Sequence, residues 1–188
     1  MKRILIILSV FCLVGVSALA GADSAKVQID EPMPEFGPPE QIRKLAVMAG
    51  TWDYKGKLKW DPSVDVWTEH EAVAEISVVA GGGAIQMIYT GEMSGMEMNG
   101  LSTLAYDRAA GEWQEVWVDN FSGRLSFFTG KTINGARVLV GEELMNGKSI
   151  HSRATTYDIT ENSYKYKMEN SYDGENWYLS MEGTYTRR

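Results

Sequence analysis

The chain has 188 residues, 18 basic and 25 acidic, and a single cysteine among them. That length allows one sizeable hydrophobic core. The acidic balance, with no basic patch to offset it, excludes nucleic acid and anionic membrane surfaces as expected partners.

The N-terminus reads as a secretory signal. Lys2 and Arg3 precede an apolar run from Ile4 to Val16, and Ala18-Leu19-Ala20 places small residues at both positions that a signal peptidase inspects. The run is short for a membrane span. Cys12 invites a lipoprotein reading, but Ser9-Val10-Phe11 is a poor lipobox and the cysteine lies inside the apolar run. Cleavage is expected after Ala20, leaving a periplasmic or secreted protein with no integral membrane insertion. The mature chain then has no cysteine and 16 basic residues against 25 acidic ones, a net of −9. Such a domain is held by its core alone. Residues 21–37 contain Pro32 and Pro34 and little alternation, which predicts a flexible leader. The barrel domain is expected over 38–188.

Pro38 and Pro39 open a predicted short helix. Ile42, Leu45 and Met48 share one face, and Gly50 stops it. From Thr51 the period changes to two. Trp52, Tyr54, Gly56, Leu58 and Trp60 are expected inward, alternating with Asp53, Lys55, Lys57 and Lys59. A second strand places His70, Ala72, Ala74, Ile76 and Val78 inward before Gly81-Gly82-Gly83 breaks it. Eight more strands follow, near 84–93, 97–106, 112–119, 124–130, 136–143, 149–159, 163–171 and 176–186. Between them stand turn pairs such as Ser94-Gly95, Ser122-Gly123, Asn134-Gly135, Asn146-Gly147 and Asp173-Gly174. Short connections make neighbours antiparallel. The predicted fold is all-β: a single up-and-down antiparallel barrel of about ten strands with an N-terminal capping helix.

Catalytic constellations are hard to assemble. Only His70 and His151 are available, and no nucleophile elbow or phosphate-binding loop appears. His70 could act as a metal or haem ligand or a general base, or be a core histidine satisfied by a carboxylate or tyrosine. An enzyme reading of isomerase or hydratase type would use His70 with a tyrosine or Glu115. His151, beside Arg153, is expected to be exposed. Met93, Met96 and Met98 could be soft copper ligands, but strand parity scatters them, and methionine also fills adaptable apolar cavities. The aromatic residues fall on shared faces: Trp113 and Trp117 with Glu115; Tyr164 and Tyr166 with Met168 and Asn170; Trp177, Leu179, Met181 and Tyr185. If internal, they line a lumen suited to a small apolar or amphiphilic molecule; alternatively they fill the barrel. Candidate ligand-binding residues are Trp52, Tyr54, His70, Tyr89, Trp117, Tyr166 and Arg187. Arg187 could instead close the barrel by a cation–π contact with Trp52. No cofactor is expected. A third reading is a ligand-free envelope protein acting through its acidic surface.

Several segments carry a family resemblance. Leu45-Ala46-Val47-Met48-Ala49-Gly50-Thr51-Trp52 is similar to the opening of calycin-type barrels, the superfamily of lipocalins, fatty-acid-binding proteins and nitrobindins. With Tyr89-Thr90-Gly91-Glu92-Met93-Ser94-Gly95, Gly100, Tyr106-Asp107, Trp117-Val118-Asp119 and Tyr185-Thr186-Arg187, the chain resembles the bacterial domain-of-unknown-function family fifteen-seventy-nine. The resemblance implies a lipocalin-like barrel in an exported bacterial protein and carries no established activity. Nitrobindin-like barrels hold haem through a late histidine; nothing after His151 could serve, so the resemblance implies no haem.

Overall fold

The computed structural model describes residues 36–188 apart from 62, 63 and 146. The predicted signal sequence, its expected cleavage site and residues 21–35 of the predicted leader lie outside the described residues. Among those described, ten strands form one closed antiparallel barrel in which every strand pairs with its sequence neighbours and β1 pairs with β10. They are β1 Gly50–Leu58, β2 Thr68–Val79, β3 Ala84–Met93, β4 Met96–Asp107, β5 Glu112–Asp119, β6 Ser126–Ile133, β7 Ala136–Met145, β8 Lys148–Tyr157, β9 Ser163–Ser171 and β10 Tyr178–Arg187. The helix α1 covers Glu40–Leu45 and tightens into a 3₁₀ turn over Ala46–Met48. Ile42 and Met48 are buried, so its apolar face closes one end of the barrel.

The tightest hairpins follow from turn chemistry. Ser94-Gly95 and Asn134-Gly135 have positive φ at both central positions, the backbone that matches the twist of paired strands. The β1–β10 seam is set by side chains. Trp52 stands opposite Arg187, Tyr54 opposite Tyr185 and Gly56 opposite Gly183. The Tyr54 ring lies so close to Gly183 that a Cβ there would sit 2.5 Å from it. Glycine is therefore required for the ring to lie flat on the wall.

Arg187 locks the closure. Its guanidinium covers the Trp52 ring at 4.3 Å. It donates to the carbonyls of Val47 at 2.5 Å, Ala49 at 2.9 Å and Glu161 at 2.6 Å. Trp52 Nε1 donates to the Met48 carbonyl at 2.7 Å. The helix end, the first strand, the last strand and the turn before β9 thus meet in one cluster.

Four inward assignments need correction. Trp60 is 51% exposed, because β1 ends at Leu58 and the parity stops there. Val78 is 40% exposed at the rim, where inward parity no longer buries a side chain. Trp177 and Leu179 do not share the inner face of Met181 and Tyr185. A bulge at Ser180 inverts the alternation, so Leu179 pairs with outward Glu169 and Met181 with inward Met168. Ser180 is buried, its hydroxyl donating to the Met168 carbonyl at 3.1 Å. Trp177 lies outside, under the Arg153 guanidinium at 4.2 Å.

Candidate functional site

The barrel interior divides into a packed aromatic side and a cavity. On the packed side, Tyr164 stacks on Tyr185 with centroids 4.3 Å apart, and Tyr54 tilts against Tyr185 at 4.7 Å. Trp52 presents its edge relation to Tyr164 at 4.9 Å. Burial holds the phenols of Tyr54, Tyr89 and Tyr164 well above the usual tyrosine range, so each stays protonated. The other side encloses a cavity of about 280 Å³. Its apolar lining includes Met48 from the cap, Ile85 and Met87 of β3, Leu104 of β4, Phe128 of β6 and Leu139 of β7.

Of the seven residues singled out from sequence, Tyr89, Trp117 and Tyr166 border this cavity. Trp52, Tyr54, His70 and Arg187 do not. Trp52 and Arg187 form the closure, and Tyr54 packs on the glycines of the β1–β10 seam. Trp117 lies flat over Gly100, where a Cβ would meet its ring at 2.2 Å, and its Nε1 donates to Asp119 at 2.8 Å. Those two contacts fix the indole as part of the cavity wall. Among the three methionines weighed as metal ligands, Met93 is buried, Met96 is 51% exposed, and Met98 borders the cavity. They do not converge.

His70 is buried, and both ring nitrogens are engaged. Nδ1–H donates to the Glu92 carbonyl at 2.9 Å, which leaves Nε2 to accept from the Tyr89 hydroxyl at 2.6 Å. Burial lowers its pKa below the ordinary value, with the Glu92 hydrogen bond opposing. The folded state therefore keeps the ring neutral. As pH falls below the ordinary histidine pKa of about 6.5, the unfolded chain takes up the proton first. The stability tied to the neutral ring is full above that pH and is lost as pH drops toward the lower folded value. The gap in unfolding midpoint between wild type and His70→Gln is accordingly expected to be largest near about pH 8 and to shrink toward about pH 5. A gap that stays constant across that range would refute the assignment. His151, by contrast, is half-exposed and 3.8 Å from Glu142.

The polar groups of the cavity come from β5, β7 and β8. Inward positions on β7 are Arg137, Leu139, Gly141 and Glu143, and on β5 Trp113, Glu115 and Trp117. Arg137 Nη2 donates to Thr156 Oγ1 at 3.1 Å, across the β7–β8 pairing. Its Nη1 is sealed from solvent and finds no hydrogen-bond partner within the protein. Burial depresses the Arg137 pKa, with the field of Glu115 as the largest opposing influence. Glu143 accepts from the Ser152 hydroxyl at 2.5 Å, and Ser152 accepts from Asn170 Nδ2 at 2.7 Å. Sequence reasoning missed Arg137, Glu143 and Thr156. The signal was the alternation of Arg137, Leu139 and Glu143, but Val138 and Val140 between them read equally well as an inner face.

Fold and site together define a closed antiparallel β-barrel whose lumen is partly filled by aromatics and partly a mainly apolar cavity with a few polar groups. The chain belongs to the DUF1579 family, described as a protein of unknown function, over residues 38–187. No curated protein matches it in sequence. Among solved structures it is similar to Rv2717c from M. tuberculosis, at 14% identity and a TM-score of 0.59, over 80% of this chain and 99% of that one. It is also similar to the S-type phycobiliprotein lyase CPES from Guillardia theta, at 12% identity and a TM-score of 0.52, over 78% of this chain and 91% of that one. At these identities the likeness is one of fold.

Proposed function

We propose that this is an exported binding protein that holds a small amphiphilic molecule in its barrel lumen, without chemistry of its own. The observation that carries the reading is the cavity itself: apolar walls with a part-buried arginine whose sealed Nη1 has no partner in the protein. A buried donor left unpaired is costly, and a ligand acceptor would relieve it. The volume of about 280 Å³ lies near the lower end of the roughly 300–1,000 Å³ typical of small-molecule pockets. A ligand of modest length, its apolar part against Trp117 and the methionines, suits that space. The phycobiliprotein lyase of similar fold supports only the general use of such a barrel around a small molecule. Export rests on the N-terminal sequence, with its basic start, apolar run and Ala18-Leu19-Ala20.

His70 supplies the reason for preferring a binder to an enzyme. A general base needs a free lone pair facing the substrate. The His70 lone pair accepts from Tyr89, and its ring is not part of the cavity wall.

The neutral fluorescent probe N-phenyl-1-naphthylamine tests the proposal. It is expected to bind saturably at micromolar concentration, to quench Trp117, and to be displaced by ten-carbon amphiphiles. Non-saturable uptake, or none, together with no displacement by any of them, would sink it.

A further inference from the structure

Two charged groups reach the same cavity without reaching each other. Arg137 keeps one terminal nitrogen on Thr156 and leaves the other without a partner. Glu115 borders the cavity from β5, and its carboxylate acts on Arg137, Tyr164 and Tyr166, all of them inward-facing. The register explains the gap. Glu115 pairs with Phe128 on β6, and Arg137 with Thr132 four residues on; the inward position between them is Gly130. Gly130 puts no side chain between cation and anion; its inward neighbours across the pairing are Trp113 and Leu139. A Cβ at Gly130 would lie 2.0 Å from the Val138 carbonyl, so the position must stay glycine. Glu143 adds a second carboxylate, already accepting from Ser152.

This charge pattern discriminates among head groups. A ligand carboxylate would gain Arg137 but share a poorly screened space with Glu115 and Glu143. An ammonium would gain the carboxylates but crowd the guanidinium. An uncharged group carrying an acceptor and a donor side by side meets both needs and introduces no like-charge contact.

Resting on the binding reading above, we infer that the lumen selects an amphiphile with an amide-like buried end. The carbonyl oxygen accepts from the Arg137 guanidinium, and the N–H donates to the Glu115 carboxylate.

Calorimetric titration of the folded protein with decanamide, decanoate and decylamine tests this, using wild type, Glu115→Gln and Arg137→Gln. Circular dichroism and the unfolding midpoint verify the fold of each variant. Wild type is expected to bind decanamide about tenfold or more tighter than either charged probe, the scale set by one like-charge contact. Glu115→Gln is expected to gain about tenfold for decanoate, and Arg137→Gln about tenfold for decylamine. A wild type that takes decanoate as tightly as decanamide would overturn the head-group assignment and leave the binding function standing. Head-group preferences unchanged in both variants would do the same. Failure of all three probes on wild type would remove the binding function itself, and the assignment with it.

Discussion

Trp52→Ala is expected to destabilise the barrel by about 3–5 kcal/mol, the range for truncating a fully buried tryptophan. Trp52 has no exposed surface. Its loss removes the hydrogen bond to Met48 and the edge packing on Tyr164, and it uncovers the Arg187 guanidinium. Arg187 would then keep its three carbonyl acceptors but lose the aromatic face that shields it. Domains of this kind have only about 5–15 kcal/mol to lose, so the variant should unfold at a much lower urea concentration. Trp60→Ala is the matched control: its side chain is 51% exposed, and a change within about 0.5 kcal/mol is expected. Equal urea midpoints for the two variants would contradict the closure described here.

Arg137→Met is expected to act in the opposite direction, raising stability by about 1–2 kcal/mol. Methionine matches the length of the stem and lines the cavity without a desolvated charge. The variant forfeits one hydrogen bond to Thr156 and a guanidinium placed 5.8 Å from the Trp113 ring. Against these stand the burial of a guanidinium and a donor that the protein leaves unpaired. A gain in the urea midpoint, accompanied by weakened binding of decanamide, would mark Arg137 as a group kept for a ligand at the expense of stability. A loss of more than about 1 kcal/mol would mean that the Thr156 and Trp113 contacts outweigh the desolvation, and that Arg137 is structural.

The barrel was legible because its sequence alternates plainly. The lysines of β1 and the glutamates of β2 mark the wet face, Trp52 to Leu58 and His70 to Ile76 the dry one. Turn pairs such as Asn134-Gly135 give the strand count and the antiparallel order. Parity also brought Trp113, Glu115 and Trp117 to one face, and Tyr164 and Tyr166 to another. It failed where local geometry departs from a period of two. The Ser180 bulge turned Trp177 and Leu179 outward, and the end of β1 released Trp60. Parity also says which side chains point inward, not which of them touch open space. Tyr54 shares an inward face with Tyr185 and Tyr166, which border the cavity, yet Gly56 and Gly183, the next pair along the seam, let Tyr54 collapse onto the wall. Arg137 escaped notice for another reason. In a strand reading Arg-Val-Leu-Val, either valine or leucine makes a credible inner face, and only pairing with β8 decides between them.

The most direct test of the lumen as a binding site is a methyl spectrum of protein carrying ¹³C-labelled methionine, recorded while decanamide is added. Met48, Met87, Met98, Met168 and Met181 border the cavity, whereas Met96 lies exposed at a hairpin. The cavity methyls are expected to shift together and saturate at one ligand per chain, with Met96 unmoved. Shifts confined to Met96, or no shift at millimolar decanamide, would contradict a ligand in the lumen.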